Sequence, residues 1–428
     1  MRALLHLAAR SAWNRRSTLG LVALSIALAT ALLLTLEGLR RDVRASFVQA
    51  VSGTDLVVGA RAAPVQLMLY AVFRIGNATD EMSMDSVRAL QAHRAVAWVV
   101  PIALGDAYRG FPVVGTTTGY FEHYAHGDRQ RLVLAEGRAF SGTLDGLYEA
   151  VLGAEVAQAF GHGLGDRIAL SHGLGGAAAG AEGADHADKP FTVVGVLQRT
   201  GTPVDRSVHV SLQAIEALHL DWAGGAPLPG LRIPAEAARK FDLEPKRVTA
   251  ALVGLRSRAA VFQVQRFVAT YRDEALTAAL PGVALDELWQ AVGLGERALL
   301  AISGLVALVS LASLVAVVLA GLGERRRELA VLRAVGAGPQ HVLGLVALEG
   351  FFVTAAGVIA GVGLSVAAAA AAAPWVQAHL GIALGGPASG LQAWPWLVAV
   401  LGAGLLASLV PAWRATRLAL ADGLTPRI

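Results

Sequence analysis

The sequence predicts an α-helical membrane protein with four transmembrane helices and a large extracytoplasmic α+β domain inserted between helices one and two. Three observations lead there. The 428 residues are 55% hydrophobic and only 16% charged, with a mean hydropathy of +0.54, which is too apolar for a water-soluble chain of this length. The apolar residues gather at the two ends and leave a mixed stretch between residues 37 and 297 that is long enough to fold in water. All but three of the 36 basic residues are Arg, and many flank the apolar runs. Membrane orientation therefore explains the net charge of +4 better than nucleic acid does. Cysteine is absent, so there is neither a disulfide framework nor a thiolate metal site.

The four spans follow in order. Leu19 to Leu36 is an apolar run of 18 residues behind Arg10, Arg15 and Arg16, long enough to cross a hydrocarbon core of about 30 Å at about 1.5 Å per residue. Ala27-Leu28-Ala29 imitates a signal-peptide cleavage site, but the apolar run continues past it, so a span is expected. Spans two, three and four are residues 298–322, 351–373 and 394–413, none carrying a charge. Trp375, Trp394, Trp396 and Trp413 stand at the run ends, as interfacial aromatic residues do.

Direction comes from the short connections. Residues 1–18, the loop 323–350 and the tail 414–428 hold Arg, whereas the connection 374–393 holds no Lys or Arg. The positive-inside rule then places both termini and the loop 323–350 in the cytoplasm and 374–393 outside. Arg40, Arg41 and Arg44 lie on the outer side of span one against that rule, but a long domain follows them, and long domains translocate largely regardless of charge.

Within 37–297, Glu37 to Val51 and Leu285 to Arg297 read as helical stalks, the second with Leu285, Leu288, Trp289 and Val292 on one face. Short β-branched runs at Val96 to Ile102, Gly110 to Thr116, Phe191 to Val196, Ser207 to Val210 and Arg247 to Leu255 read as strands. Helices Ser83 to His93 and Gly153 to Phe160 alternate with them, which gives the α+β assignment. His172 to Pro190 has no period and reads as a flexible loop.

The chemistry of common enzymes is missing from the sequence. No G-x-S-x-G and no H-E-x-x-H occurs, and none of Lys189, Lys240 and Lys246 lies in a P-loop, so no catalytic residue is named and no cofactor is expected on this chain. His162, His172 and His186, with Asp185 and Asp188, offer imidazole and carboxylate donors without a standard zinc spacing. No resident metal is expected, and His172 and His186 are the candidate ligands should one bind. Glu349, at the edge of span three, is placed at the headgroup level. Gly357 and Gly361 make a G-x-x-x-G spacing that would admit a helix from a second copy.

The loop 323–350 carries the most information. Leu329, Leu332 and Val335 fall at i, i+3 and i+6, with Arg325, Arg326, Glu328 and Arg333 on other faces, so a short amphipathic helix is expected. Gly336 and Gly338 can end it, and Pro339 can open the next helix. By itself such a helix would serve as an interfacial helix lying on lipid or as a docking helix for a cytoplasmic partner. The segment ERRRELAVLRAVGAGPQHVLGLVALEGFFVTAAGVIAG resembles the signature of the FtsX/MacB family of ABC transporter permeases, also called type VII. The terminal PAWRATRLAL and the segment FTVVGVLQRTGTPVDRSVHVSL are similar to that family's ending and to its periplasmic core.

The resemblance implies a MacB-like periplasmic domain and a permease of the bacterial inner membrane, multi-pass, with N and C termini cytoplasmic. Glu328, Leu329, Leu332, Arg333 and Gly336 would be the ATPase-coupling positions, with Leu329 and Leu332 filling a groove on a separate ABC ATPase subunit that binds ATP and Mg. ATP binding and hydrolysis would move the external domain (mechanotransmission) for export or extraction of a substrate at the outer face. A second permease copy, most simply a homodimer, and a periplasmic or lipoprotein partner are implied; nucleic acid is not. The alternative is a membrane receptor or sensor, or a regulator of a periplasmic hydrolase, lipoprotein or metal-related protein.

Overall fold

The structure, a computed structural model, describes residues 16–172, 186–223, 226–228, 232–380 and 394–417. It divides into two compact units, with boundaries between Val43 and Arg44 and between Ala291 and Val292.

Among the described residues, the helical unit contains four helices long and apolar enough to cross a membrane, which lie in Arg16–Gln49, Pro281–Glu324, Pro339–Leu380 and Trp394–Thr416. Each holds one of the four apolar runs. Apolar side chains gain nothing from leaving lipid for another helix, so contacts between such helices rest on close packing and hydrogen bonds. Ser25 and Ser310 share a hydroxyl hydrogen bond at 3.0 Å, Thr35 and Ser365 another at 3.1 Å. The Ser408 side chain packs, its own Cβ foremost, where a Cβ on Gly350 would stand, and the Thr354 side chain likewise packs where a Cβ on Gly404 would stand. The third helix continues through Pro374, where the sequence predicts a connection. Its alanine-rich approach places only a small methyl side chain beside the turn that the proline disturbs. Most of that connection, 381–393, lies outside the described residues.

The Arg residues that resist the orientation rule have partners. Arg40 and Arg41 both reach the buried Glu37, at 3.1 and 2.8 Å, and Arg40 also reaches Glu296 at 3.1 Å. The Arg44 guanidinium lies 5.1 Å from the centroid of the Trp289 ring.

The inserted unit is built on a mixed sheet. In spatial order its main strands are Leu276–Ala279, Leu56–Ala60, Ala250–Leu255, Val96–Tyr108, Phe111–Thr116, Val208–Ser211, Glu149–Leu152, Phe191–Leu197 and Leu134–Gly137. The predicted strands are found here except that Arg247 to Leu255 is split, Ala250–Leu255 joining this sheet and Arg247–Val248 pairing with Met82–Ser83. Arg109-Gly110 proves to be a two-residue hairpin with φ of 47° and 87°, the positive values that a tight right-twisted hairpin requires. Side chains alternate across the sheet, so each face has its own core. Leu56, Val58, Ala251 and Val253 pack with Val87, Leu90, Val264 and Val268 on one side. Val57, Ala250 and Leu252 pack with Leu67, Tyr70 and Tyr120 on the other. A third cluster surrounds Phe191, Leu147, Leu152, Val210 and Leu218. The predicted helices are Met84–Ala92, capped by the Ser83 hydroxyl, and Ala154–Phe160, ended by Gly161 at φ 68°.

The stretch 172–190 departs from the expected loop at both ends. His172 ends a short strand paired with Val96–Tyr108, and His186 to Lys189 make a hydrogen-bonded turn whose two end residues are buried. Residues 173–185 lie outside the described residues.

Candidate functional site

The loop between the second and third long helices folds as helix, turn and helix. The helix Arg326–Ala334 carries Glu328 in its first turn and Arg333 in its last, both favourable to its dipole, whereas Arg326 and Arg327 in the first turn oppose it. Gly336 takes φ 103°, a value that L side chains rarely adopt, and Pro339 begins the third long helix.

Two of the three predicted apolar positions share a face and the third departs from it. Leu329 is 3% exposed and packs with Leu19, Val22, Leu322, Val342 and Val346 of the chain's own bundle, where Leu332 joins it half-buried. Val335, grouped with them by spacing, is 84% exposed, and Val331 is 55% exposed. At about 100° per residue, position i+6 lies about 120° away from position i, and the helix has ended by then. Leu329 thus anchors the loop to the chain's own bundle. Glu328, Val331 and Val335 form the outward surface.

Behind that surface lies a buried charge pair. Arg325 donates to Glu349 of the third long helix, the two side chains being 6% and 4% exposed, and Arg325 also approaches Glu328 at 3.3 Å. Glu349 is enclosed by the protein and ties the loop to the helix that follows. Sequence reasoning found both residues without joining them, because 24 positions separate them.

The G-x-x-x-G face is also occupied. A Cβ on Gly357 would stand 2.8 Å from the Ala23 carbonyl oxygen, and one on Gly361 would stand 2.7 Å from that of Ala27. The two glycines let the first and third helices of one chain approach, so they provide no free face for a second copy.

The loop histidines separate. His162 accepts or donates at 2.8 Å to the Tyr108 hydroxyl and faces Asp166 at 3.3 Å. The backbone of His172 lies opposite Asp106 in the sheet register, and its side chain is outside the described residues. His186 is buried beside His219 and Trp222, with ring centroids 5.5 and 4.8 Å away. Burial draws its imidazole below the ordinary value, against the pull of Asp106. His219 is burdened by burial too, yet Asp106 and the Ile215 carbonyl outweigh it and raise its value. Asp106 and His219 were missed in the sequence, where no local spacing links them to His186.

The sequence matches the MacB-like periplasmic core domain over residues 18–270 and the FtsX-like permease C-terminal region over residues 300–421. Among solved structures it is similar to the periplasmic region of MacB from Actinobacillus actinomycetemcomitans, at 11% identity and a TM-score of 0.33, over 56% of this chain and 97% of that one. It is also similar to the extracellular domain of the noncanonic ABC-type transporter YknZ from Gram-positive bacteria, at 16% identity and a TM-score of 0.29, over 53% and 98%. Comparison with curated proteins gives no significant match. With the core-domain match spanning more than half of the sequence and the permease match covering the later long helices and their loop, the chain belongs to the FtsX/MacB-like family of ABC transporter permeases.

Proposed function

We propose that this permease couples ATP binding and hydrolysis on a separate ABC ATPase, which holds the ATP and Mg, to motion of its inserted domain on the outer side of the bacterial inner membrane. The observation that supports this reading is the construction of the 323–350 loop. Its short helix presents Glu328, Val331 and Val335 outward, while Leu329 and the Arg325–Glu349 pair fasten it to the bundle. A push on the outward face then moves the third long helix, because a buried ion pair yields only at the cost of stranding a charge. Arg333 lies in the last turn and Gly336 keeps the turn tight.

In this reading both termini and the 323–350 loop are cytoplasmic, and the inserted domain does mechanical work on a substrate or on a periplasmic or lipoprotein partner. Four spans form half of a transporter, so a second copy completes it, meeting this chain elsewhere than at Gly357 and Gly361.

The test is co-purification of the tagged full chain with its P-loop ATPase from native membranes in a non-hydrolysable ATP analogue. A Val331→Glu/Val335→Glu double variant is expected to lose the ATPase while remaining folded. Retention of the ATPase at the wild-type level overturns the docking assignment.

A further inference from the structure

Three segments of the inserted domain converge on one small polar site. Asp106 belongs to the long strand Val96–Tyr108 at a bulge, where the register shifts between Leu104 and Ala107 and Gly105 takes φ 152°. A bulge of this kind re-aims a side chain. His219 closes the helix Leu212–His219, whose start is capped by the Ser211 hydroxyl. His186 begins the limb that leads into the strand Phe191–Leu197; its N–H donates to the Leu170 carbonyl at 2.8 Å and its own carbonyl accepts from Lys189 at 3.1 Å. Lys189 fixes that limb from inside, donating its amine to the Leu218 carbonyl at 3.1 Å and to Asp221 at 2.6 Å.

The donor atoms of Asp106, His186 and His219 all lie within 4.8 Å of one another. Asp106 Oδ1 and His219 Nε2 are 3.4 Å apart. Tetrahedral zinc with bonds of about 2.0–2.1 Å sets its ligand atoms about 3.3 Å apart, so this pair already stands at coordination spacing. His186 Nε2, on a side chain 2% exposed, is buried and makes no hydrogen bond. His219 Nδ1 is 2.9 Å from the Ile215 carbonyl, a contact in which the ring N–H donates. That bond aims Nε2 at Asp106, where a bound cation would take the place of the ring proton, and it is the carbonyl contact that metal-binding histidines habitually make with their second nitrogen.

We propose that Asp106, His186 and His219 form a binding site for a borderline divalent cation of the Zn2+ class. Two imidazoles and one carboxylate suit such an ion, whereas Mg2+ and Ca2+ require more oxygen ligands than this site offers. Bound there, the ion ties the limb carrying His186 to the sheet bulge and to the end of the helix. The site lies within the inserted domain and is independent of the ATPase-coupling reading.

The test uses the full chain on a tag without histidine, stripped of metal in detergent and titrated with Zn2+ against a chromophoric chelator. One Zn2+ per chain is expected. Asp106→Asn, His186→Ala and His219→Ala are each expected to weaken binding by about a hundredfold or more, since loss of an outer-sphere partner alone costs about 10–100-fold. His162→Ala is expected to bind as wild type. X-ray absorption of the zinc-loaded wild-type protein, which needs no variant to fold, is expected to show imidazole scattering from two rings. Absence of stoichiometric uptake, unchanged binding in the His186→Ala and His219→Ala proteins, or a zinc spectrum without imidazole scattering overturns the site.

Discussion

The two units are held together by opposite means. The inserted domain closes around large apolar side chains stacked on both faces of its sheet, such as Phe191, Leu56 and Ile102, all fully buried. The helical unit buries Leu and Val side chains as well, but its closest helix contacts rest on small residues and a few polar bonds: Gly357 and Gly361 against the first helix, Ser25 with Ser310, Arg325 with Glu349. The difference follows from the solvent. Water drives apolar side chains together, whereas lipid is as apolar as the side chains themselves and leaves close approach and polar pairing to do the joining. Removing atoms should therefore injure the inserted domain most, and adding atoms or unpairing charges should injure the helical unit.

The largest effect is expected at Phe191. Phe191→Ala removes a fully buried ring from the cluster of Leu147, Leu152 and Val210, which costs about 3–5 kcal/mol. Hydrogen exchange on the full chain should show the loss in the strands Phe191–Leu197 and Glu149–Leu152. Exchange there unchanged from wild type would mean that this core does not carry the domain.

Glu349→Ala comes next. It strands the Arg325 charge in an enclosed site, a change worth about 3 kcal/mol or more, and should lower both thermal stability and stimulation of the partner ATPase. The double variant Arg325→Met/Glu349→Leu should recover most of the stability, because no charge is then left buried, while coupling stays impaired. Full recovery of coupling would show that the pair serves stability alone.

A third difference is in pH response. Burial, reinforced by Arg74, pulls His209 down to about 3, against an ordinary imidazole value of 6.5. Between those values the unfolded chain binds a proton that the folded domain refuses, so stability falls as pH drops below about 6.5, by about 1.4 kcal/mol per unit. From pH 6.5 to pH 5 the strand Val208–Ser211 should lose about 2 kcal/mol of protection against exchange. His126 and His186 are also drawn low by burial, so the contribution of His209 is read as the difference from His209→Phe, whose ring would pack against Tyr120 and Phe121. Equal pH slopes in the two proteins would refute the assignment.

What the sequence made legible divides along the same line. Strands such as Phe191–Leu197 and Ala250–Leu255 were visible because β-branched runs bounded by turn residues are local signals. The short helix of the 323–350 loop was visible because Gly336 and Pro339 punctuate it. The partners of exposed or small positions were not. Spacing showed that Gly357 and Gly361 share a face, but nothing local could say that the face meets Ala23 and Ala27 of the same chain. The grouping of Val335 with Leu329 failed for a related reason, since six residues turn a helix too far for one narrow stripe. Asp106 and His219 escaped notice because the groups that join them to His186 come from a strand and a helix distant in sequence.

The smallest effects sharpen the comparison most, because they separate glycines that make a contact from glycines that happen to lie in a membrane helix. Gly357, Gly361 and Gly363 lie within seven residues on the third helix, yet only the first two face the backbone of the first helix, and a Cβ on Gly363 would meet nothing within 4 Å. Gly357→Ala and Gly361→Ala must push a carbonyl-bearing backbone aside and should each cost about 1–3 kcal/mol, the usual range for overpacking. Gly363→Ala adds its methyl group to open space and trades glycine for a better helix former, so its effect should stay within about 0.5 kcal/mol of wild type or be slightly favourable. Thermal unfolding of the three variants in one lipid nanodisc composition decides the matter. If all three behave alike, the glycines serve helix flexibility rather than contact, and the claim that small residues join the membrane helices of this permease fails at the place where the geometry supports it best.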